Sequence, residues 1–95
     1  MKIHEITKTL KKFIPILKER FKVKEIGVFG SYGRGEESEE SDIDILVEFN
    51  GSVGWEFVDF KEYLEEILHN KVDVVTVKAL KPQLKDIILR EVIYV

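Results

Sequence analysis

The chain contains no cysteine. Without thiols it can form neither disulfide bonds nor the thiolate sites that hold structural zinc. A lack of cysteine also suits a reducing compartment, so a cytoplasmic location is expected. No apolar run approaches the roughly 20 residues that a membrane-spanning helix needs, and the first residues lack the apolar segment of a signal peptide. We therefore expect no membrane association.

Clusters of basic residues are lacking too. The chain has 15 Lys and Arg against 18 Asp and Glu, a net charge of −3, and the two signs are mixed along its length. Proteins that hold nucleic acid stably usually present a basic stripe, so no stable nucleic-acid binding is expected, although a transient nucleic-acid substrate stays open. A length of 95 residues predicts a single domain, residues 1–95.

The pattern of apolar residues predicts an α/β fold, with helices packed on a small mixed sheet. An amphipathic helix opens the chain, and Pro15 is expected to break it near Phe13 and to start a second short helix. Strands are predicted over 24–29, 43–49 and 72–77, with a helix over 55–69. Pro82 predicts the start of a last helix, followed by an edge strand over 92–95. The helix residues expected in the core include Trp55, Phe57, Phe60, Leu84, Ile87 and Ile88.

Two carboxylates, Asp42 and Asp44, carry the clearest chemical signal. Residues two apart on a strand project from the same face, with Cα atoms roughly 6–7 Å apart. Charges of one sign at that distance repel unless a cation lies between them. Magnesium suits the position, because it prefers a few carboxylates together with water and substrate phosphates. The alternative is a polar strand face in solvent.

A third acid and a glycine-rich corner extend this pattern. Asp73, on a later strand, also faces away from the core and could act as a further metal ligand or as a general base. Gly30 and Ser31 follow a strand, where free N–H groups and a hydroxyl can bind phosphate; an ordinary turn is the alternative. Arg34 could contact the phosphate or pair with the acids at 36–40.

Residues 30–47, Gly-Ser-Tyr-Gly-Arg-Gly-Glu-Glu-Ser-Glu-Glu-Ser-Asp-Ile-Asp-Ile-Leu-Val, resemble the signature of the polymerase-beta-type nucleotidyltransferase superfamily. The match is best with its minimal nucleotidyltransferase branch, the antitoxins of HEPN/MNT toxin–antitoxin modules. The resemblance implies the nucleotidyltransferase fold of that superfamily. It also implies two sets of site residues: Gly30, Ser31 and Arg34 for the nucleotide, and Asp42, Asp44 and Asp73 for catalysis and Mg²⁺.

The function implied by this resemblance is magnesium-dependent transfer of AMP from ATP to a protein. The acceptor would be a tyrosine of a cognate HEPN-type toxin, a ribonuclease that the modification silences. Two alternatives stay open: a non-catalytic antitoxin that neutralises the toxin by binding it, and a detached catalytic domain that acts on a small molecule or an RNA end. Nucleotide preference and oligomeric state, a homo-oligomer included, are not determined by the sequence.

Overall fold

The computed structural model describes residues 1–95, in which helices alternate with the strands of one sheet. The strand order is β3-β2-β1-β4; β2 and β3 run parallel, whereas β1 is antiparallel to both of its neighbours. The predicted α/β fold with a small mixed sheet is therefore confirmed. The elements are α1 (Ile3–Phe21), β1 (Val23–Phe29), α2 (Gly30–Arg34), β2 (Ile43–Phe49), α3 (Glu56–Leu68), β3 (Val72–Thr76), a 3-10 turn (Val77–Ala79), α4 (Pro82–Glu91) and β4 (Ile93–Tyr94).

One face of the sheet forms the core with α1 and α3. Ile43, Ile45 and Val47 alternate along β2 and are fully buried on that face. Because a slip of one residue would turn these side chains to the opposite face, their burial fixes the register of β2. The helices complete the cluster with an apolar stripe each, made of Ile6, Leu10, Leu17 and Phe21 on α1 and Phe60, Leu64 and Leu68 on α3.

The first helix runs without interruption through Pro15, so the predicted break near Phe13 and the second short helix are wrong. Pro15 removes one backbone hydrogen bond, but its ring is exposed to solvent. Leu10 and Leu17, on either side of the proline, are both buried against the sheet. Tertiary packing of this stripe therefore offsets the local preference of proline.

Because α1 continues through Pro15, replacing this proline should stabilise the helix. A Pro15→Ala substitution should restore the missing N–H and raise the free energy of unfolding by about 1–2 kcal/mol. That is less than the roughly 3 kcal/mol cost of a mid-helix proline, because alanine also frees the unfolded chain. Thermal denaturation followed by circular dichroism measures the change. A melting temperature equal to or below that of the parent would contradict this account of α1.

The last helix is far less buried than its sequence indicates. Leu84 and Ile87 are 49% and 54% exposed, Ile88 is half-buried, and no residue of α4 is fully buried. The predicted burial of Leu84 and Ile87 is thus wrong, because α4 packs beside the short helix α2 and nothing in the chain covers its outer side.

The aromatic residues expected in the core at the start of α3 fall into three environments. Phe60 is fully buried and Phe57 is half-buried, but Trp55 is 90% exposed. The placement of Trp55 in the core is therefore wrong. It precedes the first turn of α3, outside the stripe that faces the sheet.

The end of the chain is fastened to β1 at Gly27. A Cβ at this position would lie 2.6 Å from Cγ2 of Val92 and 2.9 Å from the carbonyl oxygen of Ile93. Only glycine therefore lets β4 approach this closely. The N–H of Val95 also donates to the carbonyl oxygen of Ile26 at 3.0 Å. The predicted edge strand is confirmed, and it holds the end of α4 near the glycine-rich corner.

None of the helices has both the length and the apolar character required to cross a membrane.

Candidate active site

The glycine-rich corner lies directly beside one of the predicted metal ligands. β1 ends at Phe29, which pairs with Asp44 on β2, and the chain then turns into α2 at Gly30. Gly30 has a φ of +72°, in the left-handed region that disfavours other residues. A Cβ there would overlap Oδ2 of Asp44 and lie 2.9 Å from its Cγ. Glycine thus allows the corner to approach this carboxylate closely.

The strand register brings Asp44 and Asp73 together. They are direct partners in the parallel pairing of β2 with β3, so both side chains project from the same face of the sheet. That face is opposite the one that carries the buried Ile43 and Ile45. Asp42 lies one residue before β2. Asp44 is half-buried, whereas Asp42 and Asp73 are exposed.

These carboxylates lack a compensating positive charge. None of the three forms a salt bridge. The pKa of Asp44 is raised above its usual value, first by burial and then by the negative charges of Asp73 and Asp42; Arg34 opposes the shift only in part. Oxygen ligands with unbalanced charge fit a hard divalent cation such as Mg²⁺.

The carboxylates do not by themselves enclose a metal ion, because no group of three acidic or histidine side chains converges closely enough. This looser arrangement agrees with the habit of Mg²⁺, which keeps several waters and shares substrate phosphates instead of occupying an all-protein cage. The residues present fit an ion that arrives with a phosphorylated substrate.

Hydrogen-bond donors of the glycine-rich corner, the Gly30 N–H and Arg34, meet at the carboxylate of Glu91. Arg34 pairs through Nε with Glu36, at 3.1 Å, and through Nη1 with both carboxylate oxygens of Glu91, at 3.2 and 3.3 Å. These hydrogen bonds, led by the one to Glu36, raise the pKa of the guanidinium. The backbone N–H of Gly30 donates to Oε1 of Glu91 at 3.3 Å. Ser31 is half-buried in the first turn of α2.

The geometry bears on one of the two sequence-based alternatives for Arg34, its pairing with an acid at 36–40; contact with phosphate stays a prediction. The pairing with Glu36 matches the expected partner among the acids at 36–40. The shared contact of Arg34 and Gly30 with one carboxylate places the two predicted phosphate donors around a common anion.

Sequence reasoning missed Glu91. It ends α4, where the partial negative charge of a helix disfavours an acid, and this misfit was the one signal available. Only the folded chain shows that a residue 61 positions from Gly30 reaches its amide.

A separate cavity of about 280 Å³ lies at the far ends of β2 and β3, lined by residues that include Phe49, Phe57 and Lys78. Asp44 and Asp73 stand at the beginnings of the same strands. The cavity is therefore distinct from the acidic face.

Comparison with known proteins identifies the family of the chain. The family described as "Nucleotidyltransferase domain" matches residues 10–95. A protein of Methanocaldococcus jannaschii named "Putative protein adenylyltransferase" is 48% identical over 97 residues, covering 98% of this chain and 97% of that protein. The protein adenylyltransferase MntA of Thermococcus cleftensis is 51% identical over 80 residues, covering 83% of this chain and 81% of the relative.

Solved structures give the same picture. A "putative minimal nucleotidyltransferase" superposes with a TM-score of 0.84 and 33% identity, covering 98% of this chain and 95% of that one. The MNT antitoxin in a complex with the tri-AMPylated HEPN toxin of Shewanella oneidensis has a TM-score of 0.57 and 25% identity, with coverage of 83% and 61%.

The resemblance noted in residues 30–47 is thereby confirmed, and so is the fold that it implied. The named relatives are both protein adenylyltransferases, which are enzymes of nucleotidyl transfer. This chain, with its glycine corner next to paired acids, belongs to the nucleotidyltransferase domain family, among the minimal proteins that include the protein adenylyltransferases.

Proposed function

We propose that the chain transfers AMP from ATP to a hydroxyl group of another protein, as a magnesium-dependent antitoxin of a HEPN-type toxin. One observation carries the proposal. The pairing of Phe29 with Asp44, and of Asp44 with Asp73, puts a glycine corner and acids from two strands on one edge of the sheet. The names of the relatives, protein adenylyltransferases, supply the reaction class.

The nucleotide binds through its phosphates. Gly30 offers a backbone N–H, and because it has no Cβ a phosphate can approach the backbone closely. Arg34 offers a guanidinium suited to phosphate oxygens. Ser31 adds a hydroxyl in the first turn of α2. A toxin–antitoxin complex related to this chain, at 28% identity and a TM-score of 0.60, was solved with AMP-PNP, which supports nucleotide binding as a property of such proteins.

The acids supply the metal site. Asp42 and Asp44 would hold Mg²⁺, with Asp73 as a further ligand, and the ion would neutralise the charge that develops on the phosphates. The half-buried position of Asp44 lowers the local dielectric, which strengthens its interaction with a cation.

The reaction follows from these positions. The oxygen of the acceptor hydroxyl forms a bond to the α-phosphorus of ATP, the bond from that phosphorus to the bridging oxygen breaks, and pyrophosphate leaves. Asp73, an exposed carboxylate beside Asp44, can accept the proton of the hydroxyl. The hydrogen bonds from Gly30 and Arg34 hold the leaving phosphates.

A protein acceptor suits the exposure of the acids. Asp42 and Asp73 lie open to solvent instead of in a closed cleft, so a folded partner can reach them. The HEPN toxin in the related Shewanella oneidensis complex carries three AMP groups. An accessible site of this kind on the present chain supports an acceptor of the same class.

The test is incubation of the purified chain with ATP, MgCl₂ and a HEPN-type protein from the same organism. Intact-mass spectrometry should show the HEPN protein gaining the mass of one or more AMP groups. The gain should disappear with EDTA and with an Asp42→Asn variant, and it should persist with Asp59→Asn, which alters an exposed acid of α3.

Absence of any added nucleotide mass, with ATP or with the other three nucleoside triphosphates, would overturn the enzymatic proposal. If the chain nevertheless suppressed the ribonuclease activity of the HEPN protein, it would be a non-catalytic antitoxin. Labelling of an RNA end in place of protein would identify a detached catalytic domain.

A further inference from the structure

Glu91 lies where the proposed function requires an anion. Its carboxylate accepts hydrogen bonds from the Gly30 N–H at 3.3 Å and from Nη1 of Arg34 at 3.2 Å, and these are two of the three groups proposed to bind phosphate. We propose that Glu91 is a built-in competitor of the nucleotide, which occupies the phosphate donors in the free protein and sets the affinity for the triphosphate. The inference rests on the proposed function and goes beyond it, because it identifies what regulates the same site.

The competition follows from the chemistry of the donors. Carboxylate and phosphate oxygens are both acceptors for backbone N–H groups and for guanidinium, and Arg binds either through paired bonds. A donor that is occupied by Glu91 cannot satisfy a phosphate in the same direction. The triphosphate therefore binds only after the carboxylate has moved away.

The geometry indicates that Glu91 can be displaced. Its contacts measure 3.2–3.3 Å, longer than the roughly 2.7–2.9 Å of strong charge-assisted hydrogen bonds. Its side chain keeps 24% of its surface exposed, and that of Arg34 keeps 46%. Water can reach both groups, so the ion pair is weak enough for a phosphate to displace Glu91.

The position of Glu91 is determined by the fold. It is the last residue of α4, and the next residues pack onto Gly27, where no side chain keeps them away from β1. In the native state this packing presents the carboxylate to the corner. It also brings a negative charge close to Asp44, which repels the incoming triphosphate.

A Glu91→Gln variant tests the proposal, because it keeps the size of the side chain and removes its charge. The probes are ATP with MgCl₂ and inorganic tripolyphosphate with MgCl₂, titrated by isothermal calorimetry. Both should bind the variant about 3- to 10-fold more tightly than the parent. The variant has no Arg34–Glu91 ion pair to break, and its residue 91 no longer repels the triphosphate. In the transfer assay the gain should appear as a lower KM for ATP, with kcat changed less.

Glu40→Gln is the matched control. It removes the same charge from the exposed acidic loop, where Glu40 makes no salt bridge, and should change affinity less than twofold. Glu91→Asp is the second variant. It keeps the charge but withdraws it by one methylene, so it should bind tripolyphosphate more tightly than the parent even if the glutamine variant folds poorly.

The outcomes separate this inference from the proposed function. If the parent binds ATP and both Glu91 variants bind it equally or more weakly, Glu91 supports the donors instead of competing for them, and the inference is wrong. A fall in kcat without tighter binding would lead to the same conclusion. If neither the parent nor any variant binds nucleotide or tripolyphosphate with MgCl₂, the proposed function fails and the inference fails with it.

Discussion

An Asp44→Asn protein should remain folded and lose AMP transfer, with kcat/KM lower by about 1,000-fold or more. The estimate corresponds to roughly 4 kcal/mol, the scale on which a metal site stabilises a transition state. Asp44 is the carboxylate that contacts both halves of the site: it pairs with Asp73 across the sheet and lies against Gly30. No other acid in the chain has this position.

The same substitution should stabilise the metal-free protein. Burial and the charges of Asp73 and Asp42 raise the pKa of Asp44, so the folded state favours its protonated form. A raised pKa contributes stability below the unfolded value of about 3.9 and loses that contribution as the pH rises through the folded value. In EDTA, the stability of Asp44→Asn relative to the parent should therefore increase from about pH 4 to pH 7.

Urea unfolding across this pH range and the transfer assay measure the two effects. Asp59→Asn, an exposed change on α3, should alter neither by much. Added Mg²⁺ with ATP should raise the melting temperature of the parent and not that of Asp44→Asn. Full activity in the asparagine variant would remove Asp44 from the mechanism.

A Gly30→Ala protein should be both less stable and inactive. The left-handed backbone at φ +72° costs a non-glycine residue roughly 1–2 kcal/mol. The new methyl group would also overlap the carboxylate of Asp44, which can escape only by turning away from its present position. Because catalytic groups tolerate little displacement, we expect a loss of at least about 100-fold in kcat/KM.

Gly35→Ala separates backbone strain from the clash. Gly35 has the same φ of +72°, but a Cβ there meets nothing within 4 Å. Both variants should lose stability in thermal denaturation, Gly30→Ala at least as much as Gly35→Ala because only it also displaces the Asp44 side chain, and only Gly30→Ala should lose activity. Equal loss of activity in both would show that strain in the corner, and not the proximity of Asp44, limits the reaction.

The parts of the molecule that were predictable are those specified over short stretches of chain. The alternation of Ile43, Ile45 and Val47 predicted both the strand and the face on which Asp44 projects, and the burial of all three agrees. The resemblance of residues 30–47 implied that the turn at Gly30 and the acid Asp44 belong to one site. The β1–β2 pairing brings them into contact.

The errors arose where distant contacts decide the outcome. Pro15 stays helical because packing on both of its sides outweighs its local preference. The apolar face of α4 predicted burial, but no element covers Leu84 or Ile87. Glu91 was not predicted because nothing near it in the chain connects it to the glycine-rich corner. Its role depends on tertiary proximity to Arg34.

The sparse burial of α4 has a consequence for how the domain comes apart. A segment without fully buried residues opens at low free energy, so residues 80–95 should form the first unit to detach in sub-global unfolding, well before α1 and α3. Once β4 has separated from β1, the backbone groups of Gly27 and Val28 on the outer edge of β1 are unpaired. Such an edge recruits strands from other molecules, and aggregation on heating should therefore begin there.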